Sequence, residues 1–157
     1  MTEHSSAARP GEEPRSRASG DRCVVVGFDS SPAAGRAARL ALTLVPPPGG
    51  RIWFVHAAEP DRRMAEPLPD EEREAPARAI ARAMGVLVAE ARARGVAAEA
   101  WSREGPAAET ILAAAREAGA EMIVVGTRGP GDASRLLLGS VSAHVVAGAK
   151  VPVVVVP

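Results

Sequence analysis

The residues with the clearest chemical meaning lie between 121 and 146, in EMIVVGTRGPGDASRLLLGSVSAHVV. Gly126, Gly129 and Gly131 crowd together after a short apolar, β-branched run, and Gly139 stands directly before Ser140. Glycines in such a loop let backbone N–H groups approach an anion closely and permit positive φ. A helix opening at Ser140 adds unpaired N–H donors and the positive end of its dipole. Ser140 can cap that helix or turn its hydroxyl to a ligand. Taken alone, the loop serves equally well as a tight turn or as a phosphate cradle.

Other reactive side chains are scattered. Arg128 and Arg135 flank the loop, either to neutralise phosphate charge or as solvated surface groups. Asp132 within it suits a turn. His56 and His144 have no carboxylate or thiol at catalytic spacing, so both read as packed or satisfied histidines. Cys23 is the only cysteine and opens an apolar run, where a small buried hydrophobe is expected. Known enzyme signatures are missing. No Gly-Lys-Ser/Thr occurs, the first strand leads into GFDSS rather than G-x-G-x-x-G, and there is no G-x-S-x-G.

The elements needed to position the glycine loop follow from punctuation and periodicity. Strands are expected over 22–28, 51–57, 96–102, 122–125 and 151–156. Ser31 and Pro32 suit the N-cap and first position of a helix whose stripe is Ala37, Leu40, Ala41 and Leu44. That helix must end before Pro46. An exposed loop over 59–73 leads to a helix over 75–94, with Pro76 near its first turn and Gly95 ending it. Gly105-Pro106 opens the next helix and Gly119 closes it; a last helix spans 140–149. Alternating strand and helix imply an α/β fold around a mainly parallel sheet, and the continuously apolar strands require helices on both faces.

The 157 residues fit one domain, expected over 21–157 after a disordered tail at 1–20. Lys plus Arg and Asp plus Glu both total 19, which argues against a broad attraction to nucleic acid or anionic membrane. No apolar run approaches the roughly 20 residues of a membrane span, and the N-terminus lacks an apolar leader, so a cytoplasmic setting is expected.

Two residues separate Gly126 from Gly129, nine separate Gly129 from Gly139, and Ser140 follows at once. This G-x2-G-x9-G-S spacing resembles the ATP-binding signature of the universal stress protein family. The resemblance runs in outline from 21 to 157. It implies a single-domain, doubly wound, Rossmann-like sheet of five parallel strands in the order 3-2-1-4-5. Ligands of such sheets bind where the strand order reverses, here between the first and fourth strands. The family's contacts map onto Gly27 and Asp29 after the first strand and Ala57 after the second, beside the adenine. Val125 and Gly126 match the other wall, and Gly129, Gly139, Ser140, Val141 and Ser142 match the phosphate-contacting set. Asp29 either accepts hydrogen bonds from the nucleoside or caps the following helix. The resemblance further implies bound ATP, with Mg²⁺ held through its phosphates, in a regulatory stress-response module. A slow Mg-dependent ATP-hydrolysing enzyme and a nucleotide-free dimeric interaction module are the alternatives. It also implies a homodimer formed through the edge strand 151–156.

Overall fold

The computed structural model describes residues 22–58, 70–127 and 138–157. The expected tail at 1–20 and the central part of the glycine loop, Gly129 included, lie outside them, as do residues 59–69. Among the described residues five strands, β1 (Cys23–Gly27), β2 (Arg51–Ala58), β3 (Ala97–Glu104), β4 (Met122–Gly126) and β5 (Val153–Val156), alternate with four helices. These are α1 (Pro32–Leu44), α2 (Asp70–Ala93), α3 (Ala107–Ala118) and α4 (Ser140–Gly148). Every pairing is parallel, and the order is β3-β2-β1-β4-β5, as the resemblance implies.

Strand β1 is central, and all five of its residues are buried, because each face of the sheet carries helices. Val24 and Val26 meet Ala37, Ala41 and Phe54 on the α1–α2 side; Val25 meets Ile111, Ala114 and Ile123 on the α3–α4 side. Burying each such valine stabilises the fold by about 1.5–3 kcal/mol. The buried face of α1 is almost all alanine (Ala33, Ala34, Ala37, Ala38 and Ala41, with Leu42), which lets its backbone lie close to the sheet.

Local signals explain most boundaries. The Ser31 hydroxyl accepts the Ala34 N–H at 3.1 Å, capping α1, and Pro32 takes the first helical position. Gly119 closes α3 in the left-handed region, φ 59°, with its N–H on the Ala115 and Arg116 carbonyls. Several ends shift by one or two residues, β3 running to Glu104 among them, and two differences have a clear local cause. Helix α2 starts at Asp70, so Pro76 lies inside it rather than in its first turn, and the loop expected over 59–73 gives up its last four residues. Glu74, Ala75, Ala77 and Arg78 around Pro76 are strong helix formers, and Arg78 pairs with Glu74 one turn away, which outweighs the one backbone bond proline removes. Strand β5 starts at Val153, not at 151, because Pro152 has no N–H to enter the ladder; its carbonyl instead accepts from Ile123.

On the α3 side of the β2–β3 edge, Trp53 and Trp101 pack at 5.3 Å between ring centroids, tilted by 41°. The Arg103 guanidinium lies 3.9 Å above Trp101 and pairs with Glu117 of α3 at 3.1 Å. Among the described residues no helix is long and apolar enough to cross a membrane.

Candidate functional site

The carboxyl ends of β1, β2 and β4 and the N-termini of α3 and α4 enclose a cavity of about 260 Å³. It lies at the crossover where the chain runs to one side of β1 for β2 and to the other for β4, the position at which open parallel sheets take ligands. Gly27, Asp29, Ala57, Val125, Gly126, Gly139, Ser140, Val141 and Ser142 all line it. Of the site residues expected from the resemblance, Gly129 falls outside the described chain, and so do the flanking Arg128, Asp132 and Arg135. Residues the sequence did not assign to the site also contribute: Phe28, Val55, His56, Thr127, and Ala107 and Ile111 from α3. The helix start at Gly105-Pro106 was the available signal for Ala107, since helices that follow parallel strands begin at the ligand end.

At the β1 end, Asp29 Oδ1 accepts the Ser31 N–H at 2.9 Å. The turn it closes holds Ser30 at φ 66°, in the left-handed region. Asp29 is therefore not the helix cap. Ser31 caps α1, and Asp29 keeps its second carboxylate oxygen for another donor. It is the only charged side chain among the described lining residues.

The β4 end has the opposite character. Gly139, not Ser140, is the N-cap of α4, and it caps without a side chain, so Ser140 becomes the first helical residue with an exposed hydroxyl. The first N–H to close a helical turn is that of Ala143, on the Gly139 carbonyl. The N–H groups of Ser140, Val141 and Ser142 have no partner among the described residues, an array that accepts an anion. Ser142 is differently placed. Its hydroxyl is buried within reach of the Thr127 and Gly139 carbonyls at 3.0 and 2.9 Å, so its proton is committed inside the protein. The Thr127 carbonyl also receives the Gly139 N–H at 2.7 Å, tying the start of α4 to the end of β4.

Gly126 has a packing role as well. A Cβ there would lie 2.8 Å from Ala33 Cβ and 2.9 Å from both Ala33 C and Ala34 N, so the absence of a side chain lets α1 reach the end of β4. His56 is not simply packed. Its Nδ1 is 3.1 Å from the Phe28 carbonyl while its ring borders the cavity. His144 is exposed on α4 and does not line the site. Among the described residues no three or more His, Cys, Asp or Glu side chains gather to hold a metal.

The family model described as Universal stress protein family matches residues 22–157. A universal stress protein of Thermus aquaticus, encoded 3′ of a QAH/OAS sulfhydrylase, is 39% identical over 137 residues, covering 86% of this chain and 98% of that protein. A universal stress protein solved in complex with cAMP is 26% identical, with a TM-score of 0.59 and coverage of 88% of this chain and 98% of the other. The universal stress protein of Archaeoglobus fulgidus, solved with dAMP, is 25% identical with the same TM-score, 0.59, and coverage of 87% and 98%.

Proposed function

The chain belongs to the universal stress protein family, and from that premise we propose that it binds an adenine nucleotide, ATP above all, as a regulatory module of the stress response. One observation carries the reading: a single cavity has a carboxylate acceptor at one end and unpaired helix N–H donors at the other. A nucleotide has the matching polarity, with hydroxyl donors on its sugar and an anion at its phosphate end. Asp29 repels the phosphate and α4 attracts it, which favours one orientation. Relatives solved with cAMP and dAMP support an adenine ligand. In this reading Gly27, Asp29, Ala57, Val125 and Gly126 surround the nucleoside. Gly129, Gly139, Ser140, Val141 and Ser142 surround the phosphates, Ser142 through its backbone N–H, and Mg²⁺ arrives on the phosphates. The setting is the cytoplasm, and residues 21–157 form the binding domain.

Calorimetric titration of the purified protein with ATP and Mg²⁺ tests this. Binding is expected, and a folded protein that takes up no adenine nucleotide refutes it. Following phosphate release in the same samples separates a binding module from a slow hydrolase.

We propose that the assembly is a homodimer through β5. This strand lies at the sheet edge with four consecutive, partly buried valines, and Val146 of the neighbouring α4 is also exposed. An uncharged open edge is an aggregation hazard unless paired, and a two-fold antiparallel contact would pair it. Val154→Lys or Val155→Lys, whichever faces the partner, is expected to yield monomers in sedimentation at micromolar concentration, whereas deletion of residues 1–20 leaves the dimer intact. A monomeric wild type, or dimers indifferent to both substitutions, rules this interface out.

A further inference from the structure

The His56 ring has its chemistry fixed from one side. A carbonyl oxygen only accepts, so the 3.1 Å contact with Phe28 O places a proton on Nδ1. In the neutral ring Nε2 is then unprotonated and accepts. The backbone holds this arrangement firmly, since the Phe28 N–H itself bonds the Val55 carbonyl at 2.8 Å, joining the two strand ends on which the ring is mounted. His56 is half-buried and borders the cavity.

Its position across the sheet identifies what would meet it. The unpaired N–H donors of α4 follow β4, Asp29 follows β1, and His56 lies two residues before the end of β2, with the strands in the order β2-β1-β4. Adjacent strands are about 4.8 Å apart, so β2 stands roughly 10 Å from β4. A nucleotide with its phosphate on α4 lies with its sugar over β1, beside Asp29, and its base over β2.

We propose that Nε2 of His56 accepts a hydrogen bond from the exocyclic amine of the base, so that this residue makes the cavity select amino-purines over oxo-purines. This rests on the nucleotide reading above and adds to it a specificity-determining side chain. To the neutral ring a 6-oxo group brings a second acceptor at the same point, where two lone pairs oppose each other with no proton between them.

Two near-isosteres divide the ring between its two nitrogens. In His56→Asn the amide nitrogen takes the place of Nδ1, retains the Phe28 bond and leaves nothing at Nε2. In His56→Gln the amide reaches the Nε2 position and gives up the Phe28 bond. Titration of the full chain with AMP and with IMP, alongside thermal melting, provides the readout. The wild type is expected to prefer AMP by about ten-fold or more. His56→Asn is expected to melt like the wild type but to lose the preference through weaker AMP binding. His56→Gln is expected to bind both nucleotides within a few-fold, because its amide can rotate to offer either an oxygen or an N–H. An undiminished AMP preference in His56→Asn overturns the proposal and leaves His56 as a clasp on Phe28. A wild type that binds AMP and IMP equally overturns it as well while leaving the nucleotide site standing. A wild type that binds neither removes the nucleotide reading itself.

Discussion

Replacing Gly126 with alanine is expected to destabilise the protein by about 1–3 kcal/mol, the range for overpacking a close-packed contact, and to weaken nucleotide binding at the same time. The new Cβ would sit 2.9 Å from two backbone atoms of α1, and 2.8 Å from the Ala33 Cβ. Backbone cannot move aside as a side-chain tip can, so either α1 or the end of β4 must shift. Either movement disturbs the cavity, because the Asp29–Ser31 turn leads directly into α1 and Thr127 follows Gly126. Gly27 provides the control. Its added Cβ would meet Ile111 Cδ1 at 2.7 Å and Val125 Cγ1 at 3.1 Å, both side-chain atoms. Ile111→Val removes Cδ1, so the Gly27→Ala, Ile111→Val pair should be more stable than the sum of its single changes predicts. Urea denaturation gives all four values. A Gly126→Ala protein as stable as the wild type would show that the α1–β4 contact has slack.

Asp29→Ala is expected to lower affinity for adenosine and ATP alike by about ten- to a hundred-fold, the loss of one charged hydrogen bond worth roughly 1.5–3 kcal/mol. The same substitution removes the acceptor for the Ser31 N–H, so the melting temperature should also fall. Asp29→Asn separates the effects. An asparagine oxygen can still receive the Ser31 N–H at the Oδ1 position, and the charge is gone, so the fold should keep its stability while affinity declines. If Asp29→Ala leaves affinity intact and lowers only the melting temperature, the carboxylate serves the turn and nothing more.

What could be read from the sequence depended on the kind of physics involved. Ser31-Pro32 and Gly119 act locally, and both did in the structure what their types dictate. The strand order came from the resemblance and not from any pattern within the chain. At the site, glycine spacing pointed to one crevice, but spacing carries no information about which groups are already occupied. The commitment of the Ser142 hydroxyl to two carbonyls and the cap at Gly139 appear only once β4 and α4 meet. His56 is a satisfied histidine, as its lack of a charged partner in the sequence suggests, but which group satisfies it is not legible there, since that partner is a backbone carbonyl 28 residues away. Pro76 differs from its sequence signal for another reason. Proline signals a helix start most strongly, yet its missing N–H is tolerated within the second turn of α2, where the helix formers around it prevail.

The tryptophan pair has a consequence for how this molecule can be watched. Trp53 and Trp101 are the only tryptophans in the chain, and there is no tyrosine. Both stand at the β2–β3 edge, and one carries a guanidinium over its ring. Intrinsic fluorescence therefore reports from one margin of the sheet, while far-ultraviolet dichroism averages over every helix. The margin that holds β4, β5 and the start of α4 is dark. A fluorophore introduced there would make the two halves separately visible, and their unfolding curves would then reveal whether the sheet melts as one cooperative unit or opens first at the β4–β5 margin.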